Sequence, residues 1–97
     1  ADAFIIVPGG IGTMEEFFEV LTLKQLGRHH KAIAIYDLDG YYDTLERFMR
    51  EMSEKKFMAA ACHEMYAIFT DPQELLAYVE DYTPDNMSAR SLKYTDR

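Results

Sequence analysis

The sequence lacks the features of several large protein classes. Cys62 is the only cysteine among 97 residues, which rules out an internal disulfide and suits a reducing cytoplasm. The 10 lysines and arginines are outnumbered by 17 acidic residues and form no cluster, which argues against a nucleic-acid backbone or an anionic membrane surface as the partner. No apolar run approaches the length of a membrane span. We therefore expect a cytoplasmic protein whose partners are small molecules or other proteins.

The residues that are present indicate one globular domain. Apolar residues make up 48% of the chain and aromatic residues 13%, which is enough for a modest core. Periodic patterns run through residues 1–82, whereas residues 83–97 are mostly polar and show no periodicity. We predict a folded domain over the first range. Over the second, we predict a tail that is disordered or packed on a partner subunit.

Three short apolar runs alternate with three segments of helical periodicity. These β-α-β-α-β-α elements are predicted over residues 3–7, 12–26, 32–36, 42–55, 65–69 and 72–82. Apolar strands separated by amphipathic helices indicate a parallel sheet with right-handed crossovers. A parallel strand needs neighbours on both sides, and the first strand has nothing before it to supply one. The sequence therefore predicts an α/β fold that is the C-terminal half of a Rossmann-like doubly wound parallel sheet, taken from a longer protein.

Two helix ends carry their own sequence signals. Gly27 follows the last periodic residue of the first helix and is predicted to be its C-cap. Asp71 and Pro72 precede the last helical pattern, as an N-cap and a first helical residue do. Both signals support the predicted boundaries.

The motif PGGIGT joins the first strand to the first helix. In an open parallel sheet, ligands bind beyond the carboxyl ends of the strands, where a helix N-terminus presents unpaired N–H groups. Gly9, Gly10 and Gly12 allow positive φ and close backbone approach, and the Thr13 hydroxyl adds a donor. The motif therefore predicts a phosphate site. A tight turn that binds nothing remains the alternative, because the Walker lysine is absent and Glu15 replaces the third glycine of the dinucleotide fingerprint.

Two adjacent carboxylates follow the glycines. Successive helical residues are turned by about 100°, so Glu15 projects with Glu19 on a polar side, whereas Glu16 lies in line with Val20 and Leu23. A carboxylate among apolar neighbours and beside an anion site is costly unless it has a function. For both glutamates the alternative is compensation of the helix dipole in the first turn. The helical phase favours Glu16 as the functional carboxylate.

The segment PGGIGTMEE resembles the P-G-G-x-G-T-x-x-E motif of the Lonely Guy family, the cytokinin riboside monophosphate phosphoribohydrolases and their bacterial nucleotide-hydrolysing relatives. The likeness continues in DGYYDTL and ELLAYVEDY and covers residues 1–82. It implies hydrolysis of the N-glycosidic bond of a nucleoside 5′-monophosphate, either a cytokinin riboside monophosphate or an AMP-like nucleotide, to free base and ribose 5-phosphate. Such proteins have often been labelled lysine decarboxylases. No pattern here indicates a pyridoxal phosphate site, and we expect no cofactor.

The resemblance also assigns roles to residues of this chain. It places the 5′-phosphate on four residues of the motif: Gly9, Gly10, Gly12 and Thr13. Glu16 is the motif glutamate and would be catalytic, because a carboxylate stabilises the ribosyl cation that develops in the transition state. Glu15 would share the contact with the ribose.

The resemblance implies two further requirements. The family uses an arginine shortly before the strand that precedes the glycines, and this sequence begins too late to contain it. We therefore expect these 97 residues alone to have little or no hydrolase activity. Family members are typically dimers, and Val20 and Leu23 on the first helix suggest a homodimer through it. A nucleotide- or phosphate-binding module without catalysis is the alternative function.

The motif DLDG after the second predicted strand has a different interpretation. It resembles the opening of haloacid dehalogenase-type phosphatases, with Asp37 as nucleophile and Asp39 as acid. That motif continues with threonine where this chain has Tyr41. A polar strand-to-helix loop is the favoured interpretation.

No metal site is expected from the sequence. The candidate ligands show no metal-binding spacing: His29, His30, Cys62 and His63. The methionines Met49, Met52, Met58 and Met65 are predicted to fill the core.

Overall fold

The computed structural model describes residues 3–82, which form a three-layer α/β arrangement. The elements are β1 (Ala3–Ile6), α1 (Ile11–Gln25), β2 (Ala32–Tyr36), α2 (Asp43–Glu54), β3 (Ala67–Phe69) and α3 (Pro72–Asp81). Short 3₁₀ helices occupy Leu38–Gly40 and Ala60–Glu64. The predicted order β-α-β-α-β-α is confirmed. The predicted tail, residues 83–97, lies outside the described residues.

The three strands form one parallel sheet in the order β1-β2-β3. Ala3 is paired with Ala32, and Ala34 with Ala67. The first four residues of the central strand are buried, as its apolar sequence predicts for a strand covered on both faces. The fold class is therefore confirmed as α/β with a parallel sheet, consistent with half of a Rossmann-like fold. All three strands end at the same edge of this sheet.

The two faces of β2 receive different helices. Ile33 and Ile35 belong to one apolar cluster with buried side chains of α1 and α2. Ala32 and Ala34 alternate with them along the strand and so point to the opposite face. Helix α3 contacts β2 but contributes nothing to that cluster, and its buried Leu75 lies on the alanine side. The small alanines allow α3 to pack closely on the sheet.

Helix α1 begins one residue earlier than predicted. Its N-cap is Gly10 and its first turn contains no acidic residue, so the expected first-turn carboxylates Glu15 and Glu16 lie in the second turn. The alternative interpretation, in which these carboxylates compensate the helix dipole from the first turn, is wrong for this reason.

The predicted N-cap of α3 is confirmed, whereas the predicted C-cap of α1 is displaced by one residue. The C-cap is Leu26, and Gly27 follows it with a φ of 77°. Its N–H donates to Lys24 O at 3.0 Å and the Arg28 N–H donates to Leu23 O at 2.9 Å, which is a Schellman motif. At α3, the Asp71 carboxylate accepts the Gln73 N–H at 2.9 Å.

Lys24 is buried at the amino end of the sheet. Its side chain is only 4% exposed. The ammonium group donates to Lys31 O at 2.7 Å, Met65 O at 2.9 Å and the Tyr82 hydroxyl at 2.8 Å. An ammonium has three donors, and a buried charge is tolerated when it is hydrogen-bonded. Lys24 therefore connects α1 to the segments before β2 and β3 and to the end of α3.

The methionines fill the core as predicted. Met49 and Met65 are buried, and Met52 and Met58 pack against the same cluster. Sequence analysis missed the buried Lys24, because a lysine in a helical pattern is normally a solvated residue.

Candidate functional site

Two loops meet beyond the carboxyl ends of the strands. Residues 7–13, here called the glycine turn, connect β1 to the start of α1. Residues 37–42, here called the tyrosine loop, connect β2 to α2. The Tyr41 hydroxyl donates to Gly9 O at 2.5 Å, and the Tyr42 hydroxyl donates to Val7 O at 2.6 Å. The parallel order of β1 and β2 places both loops at one edge, which makes these contacts possible.

The glycines of the turn do not use positive φ. Among residues 3–82, the glycines with positive φ are Gly27 and Gly40. The expectation that the glycines of the turn need positive φ is therefore wrong. Gly9 serves the second purpose predicted for it, which is close approach. A Cβ added there would lie 2.2 Å from Thr13 Oγ1. The turn folds back so tightly on the first turn of α1 that only glycine fits beside the threonine.

Gly10 and Gly12 face open space instead. A Cβ added at either position meets no atom within 4 Å. Gly10 is the N-cap residue, and Gly12 is in the first turn of α1, where backbone N–H groups have no partner within the helix. An anion could therefore approach these N–H groups without meeting a side chain. This part of the structure fits the predicted phosphate site.

The two glutamates lie one turn further along α1. Residues three and four apart are neighbours on a helix surface, so Glu16 lies next to Gly12 and Thr13, and Glu15 lies next to Gly12. Both carboxylates are exposed. The expected apolar surroundings of Glu16 are wrong, because Val20 is turned into the core of the same chain. One helical turn spans about 5.4 Å, which puts the carboxylates beyond an anion bound at the helix start.

The tyrosine loop is fixed from inside by a buried carboxylate. Asp37 is 4% exposed and accepts the Tyr42 N–H at 2.7 Å. Asp39 and Gly40 adopt left-handed conformations with φ of 53° and 76°. A Cβ at Gly40 would lie 2.9 Å from Asp43 Oδ2, so glycine suits both the φ and the space.

The phosphatase interpretation of DLDG is not supported. Asp37, its would-be nucleophile, is buried and holds a backbone N–H at the start of α2. Asp39 is exposed in the left-handed turn. The favoured interpretation, a polar strand-to-helix loop, agrees with this geometry.

Burial and neighbouring acids shift two pKa values in this loop. The pKa of Asp43 is raised, first by a side-chain hydrogen bond with Asp37 and then by repulsion from that carboxylate. The pKa of the Tyr42 phenol is also raised. Burial is the main cause, the nearby Tyr41 adds to it, and a backbone hydrogen bond with Gly9 opposes it. The raised pKa keeps the Tyr42 hydroxyl protonated, so that it can donate to Val7 O.

Tyr41 and Tyr42 were not predicted to be site residues. They lie in the DGYY segment that carries part of the family resemblance, and Tyr41 also stands where the phosphatase motif has threonine. Their partners are 32 and 35 residues earlier in the chain, and no local pattern reports such contacts. The order of parallel strands was the available signal, because it predicts that the loops after β1 and β2 are neighbours.

The candidate metal ligands have other partners. His29 Nδ1 accepts the Lys31 N–H at 3.1 Å, so Nε2 is the nitrogen that donates to Val20 O at 2.8 Å. The Gln25 amide donates to Cys62 Sγ at 3.0 Å. Within residues 3–82 no three metal-ligating side chains come together. The same range contains no helix long and apolar enough to cross a membrane.

Comparisons with known proteins agree with this picture. A family model described as "Possible lysine decarboxylase" matches residues 1–79. A rice protein (Oryza sativa subsp. japonica) named "Probable cytokinin riboside 5'-monophosphate phosphoribohydrolase" is 40% identical over 84 residues, covering 87% of this chain and 40% of the relative.

Two Arabidopsis thaliana proteins named cytokinin riboside 5′-monophosphate phosphoribohydrolase are similarly related. One is 39% identical over 84 residues, covering 87% of this chain and 39% of the relative. The other is 37% identical over 93 residues, covering 96% of this chain and 44% of the relative. The chain therefore spans about two fifths of the length of the curated relatives it matches.

Proposed function

We propose that the protein hydrolyses the N-glycosidic bond of a nucleoside 5′-monophosphate. The premise is that this chain belongs to the Lonely Guy family, whose model carries the description "Possible lysine decarboxylase". The substrate would be a cytokinin riboside monophosphate or an AMP-like nucleotide, and the products are the free base and ribose 5-phosphate. The observation that carries the proposal is the open backbone at Gly10 and Gly12 with Glu16 one helical turn away.

The glycine turn holds the 5′-phosphate in this proposal. Gly9 keeps the turn close to Thr13, and the bare backbone of Gly10 and Gly12 leaves the N–H groups accessible. The partial positive charge of the helix N-terminus attracts the phosphate. The Thr13 hydroxyl supplies one more hydrogen bond. The phosphate thus anchors the nucleotide beside the start of α1.

Glu16 carries the chemistry in this proposal. Bond cleavage leaves positive charge on the ribosyl carbon C1′, and an anionic carboxylate stabilises that charge. The C1′–N bond breaks with its electron pair going to the base, and water adds to C1′ through its oxygen. One proton of the water stays on the new hydroxyl and the other is transferred to the departing base. Glu16 orients this water or the ribose hydroxyls, and Glu15 contributes to the ribose contact. Their place in the second turn supports this assignment, because the sugar follows the phosphate along the substrate.

The proposed reaction also depends on an arginine that the resemblance implies and these 97 residues do not contain. We therefore expect the isolated chain to release little or no adenine from AMP. Turnover by these residues alone at the rate of an intact relative would contradict this expectation.

The test of the proposed function is Glu16→Gln in the full-length protein. This substitution keeps the size of the side chain and removes its charge. We expect kcat for base release from AMP to fall by about a hundredfold or more, with phosphate affinity unchanged. Glu19→Gln is the matched control, since it removes a charge from the next turn of the same helix and should leave kcat near the wild-type value.

The alternative is a nucleotide- or phosphate-binding module without catalysis. The open helix start supports it equally, because phosphate binding needs the glycine turn alone. A wild-type protein that binds AMP and shows no base release would favour this alternative over hydrolysis.

A homodimer through α1 is a second part of the proposal. Leu23 is 37% exposed and Leu26 is 64% exposed, and these residues support an interface. Val20, which was predicted to join them, is buried in the protein's own core. Analytical ultracentrifugation at micromolar concentration tests the dimer. Leu23→Asp should shift it toward monomer, and a wild-type monomer would contradict it.

A further inference from the structure

The two tyrosine hydroxyls of the tyrosine loop donate to backbone carbonyls of the glycine turn. The Tyr42 hydroxyl donates to Val7 O at 2.6 Å. The Tyr41 hydroxyl donates to Gly9 O at 2.5 Å. The contacts come from a loop that belongs to the next β-α unit of the fold. The glycine turn is therefore held in place by hydrogen bonds from outside its own segment.

The orientation of the Gly9–Gly10 peptide follows from the Tyr41 contact. A trans peptide is planar, and its C=O and N–H point in opposite directions. No cis peptide occurs in the described residues. Because Gly9 O points toward the Tyr41 hydroxyl, the Gly10 N–H points away from it, on a residue whose surroundings are open.

The Gly9–Gly10 peptide could also adopt the opposite orientation, with its C=O and N–H directions exchanged, and the difference matters for an anion. A rotated Gly9–Gly10 peptide would present a carbonyl oxygen where the N–H now lies, and an oxygen repels a phosphate that an N–H attracts. Glycine has the least restricted backbone of all residues. Consecutive glycines thus make the approach of a ligand easy and leave the peptide between them free to rotate.

We propose that Tyr41 is a positioning residue that locks the Gly9–Gly10 peptide with the Gly10 N–H directed to the substrate phosphate. This inference rests on the proposed function, since it concerns the same phosphate site. Tyr41 acts through the backbone and does not itself touch the substrate.

The exposure of Tyr41 separates this role from a structural one. The side chain is 54% exposed, and its ring packs edge-on against Tyr42 with centroids 4.9 Å apart. Phenylalanine keeps the ring and removes only the hydroxyl. The substitution Tyr41→Phe therefore tests the hydrogen bond with little change in packing.

The experiment is a titration of the ¹⁵N-labelled full-length protein with inorganic phosphate, followed at the Gly10 amide. In the wild type, we expect the Gly10 amide signal to move downfield on binding. In Tyr41→Phe, we expect phosphate to bind about tenfold more weakly, and the Gly10 shift to be lost. The melting temperature should stay within about 2 °C of wild type.

Tyr78→Phe is the matched control. Tyr78 lies on α3, where its ring packs against Phe69 at 5.1 Å, so the variant removes a tyrosine hydroxyl far along the chain from the glycine turn. It should bind phosphate as the wild type does.

The outcomes distinguish this inference from the proposed function. Equal phosphate affinity and an unchanged Gly10 shift in Tyr41→Phe would overturn the role of Tyr41. Weaker phosphate binding by Tyr41→Phe, in a protein that releases no base from AMP, would support the role of Tyr41 and overturn the hydrolase. A wild type that binds no phosphate would overturn both.

Discussion

Within residues 3–82, each end of the sheet buries one charged side chain, and the two side chains have different roles. At the amino end, Lys24 is 4% exposed and all three of its ammonium donors have an acceptor. At the carboxyl end, Asp37 is equally buried, fixes one backbone N–H and faces a second carboxylate, Asp43. The comparison indicates that the amino end connects elements of the fold, whereas the carboxyl end fixes the loops of the proposed phosphate site.

The surroundings of the two charges extend this contrast. Lys24 draws its acceptors from three separate segments of the chain, so its removal affects the packing of several elements at once. At the carboxyl end, side-chain hydrogen bonds lie within the tyrosine loop or connect it to the glycine turn, and the Asp37 N–H donates to Phe69 O of β3 at 2.8 Å. Three predictions test this division, from the largest expected effect to the smallest.

Lys24→Met should destabilise the protein most. Methionine fills a similar volume but leaves two backbone carbonyls and a tyrosine hydroxyl without their donor, at an expected cost of about 3 kcal/mol in the free energy of unfolding. Denaturant unfolding measures it. Lys55→Met, on the exposed end of α2, is the control and should change stability by less than about 0.5 kcal/mol. If Lys24→Met and Lys55→Met were similarly stable, the hydrogen bonds of Lys24 at the amino end would not be a main source of stability.

Gly9→Ala and Gly12→Ala form a matched pair at the carboxyl end. An alanine Cβ at Gly9 would collide with Thr13 Oγ1, so we expect a loss of about 2 kcal/mol together with weaker phosphate binding. Gly12 lies inside α1 in open space, and alanine there should stabilise the helix by about 0.5–1 kcal/mol.

Phosphate binding decides what the Gly12 result means. If Gly12 is kept bare for a ligand, Gly12→Ala should bind phosphate about tenfold more weakly although it is more stable. Calorimetric titration with phosphate and a thermal melt on the same sample measure both quantities. Unchanged affinity in the stabilised variant would remove Gly12 from the phosphate site.

Asp43→Asn should show the smallest effect, and the effect should depend on pH. The pKa of Asp43 is raised in the folded state above its usual value of 3.8, so the folded state binds this proton more tightly than the unfolded state does. The corresponding stability is present below pH 3.8 and is lost as pH rises through the raised pKa. The wild type should therefore lose stability relative to Asp43→Asn over that window.

Unfolding at a series of pH values measures this difference. Asp39→Asn removes a carboxylate from the same loop, in a left-handed position that asparagine tolerates, and is the control for the loss of one charge. A constant difference between wild type and Asp43→Asn at every pH would contradict the coupling to Asp37.

Local patterns predicted the elements of the fold and identified the turn that is proposed as the phosphate site. The boundaries of β2 agree with its apolar run, and the ends of α1 and α3 follow the signals of Gly27 and Asp71. The turn between β1 and α1 was identified from its glycines, because their spacing and their place after a strand are both visible in the sequence.

The remaining features depend on contacts across the sheet. Val20 and Lys24 are buried because of the helix face that meets the sheet and its connecting segments. A periodic pattern predicts the direction of that face only to within about one residue. The role of Gly9 depends on the position of Thr13, and the roles of Tyr41 and Tyr42 depend on the parallel pairing of β1 and β2. These are three-dimensional facts that spacing along the chain does not contain.

The hydrogen bonds between the two loops also have a consequence for local unfolding. The Tyr42 N–H donates to the Asp37 carboxylate, and the Tyr42 hydroxyl donates to Val7 O in the glycine turn of the preceding β-α unit. The glycine turn cannot open without breaking bonds to the tyrosine loop. The Tyr42 amide and the Met14 amide, which donates to Gly10 O at 3.1 Å, should therefore exchange with deuterium at a common rate, as one cooperative unit that joins two successive β-α units.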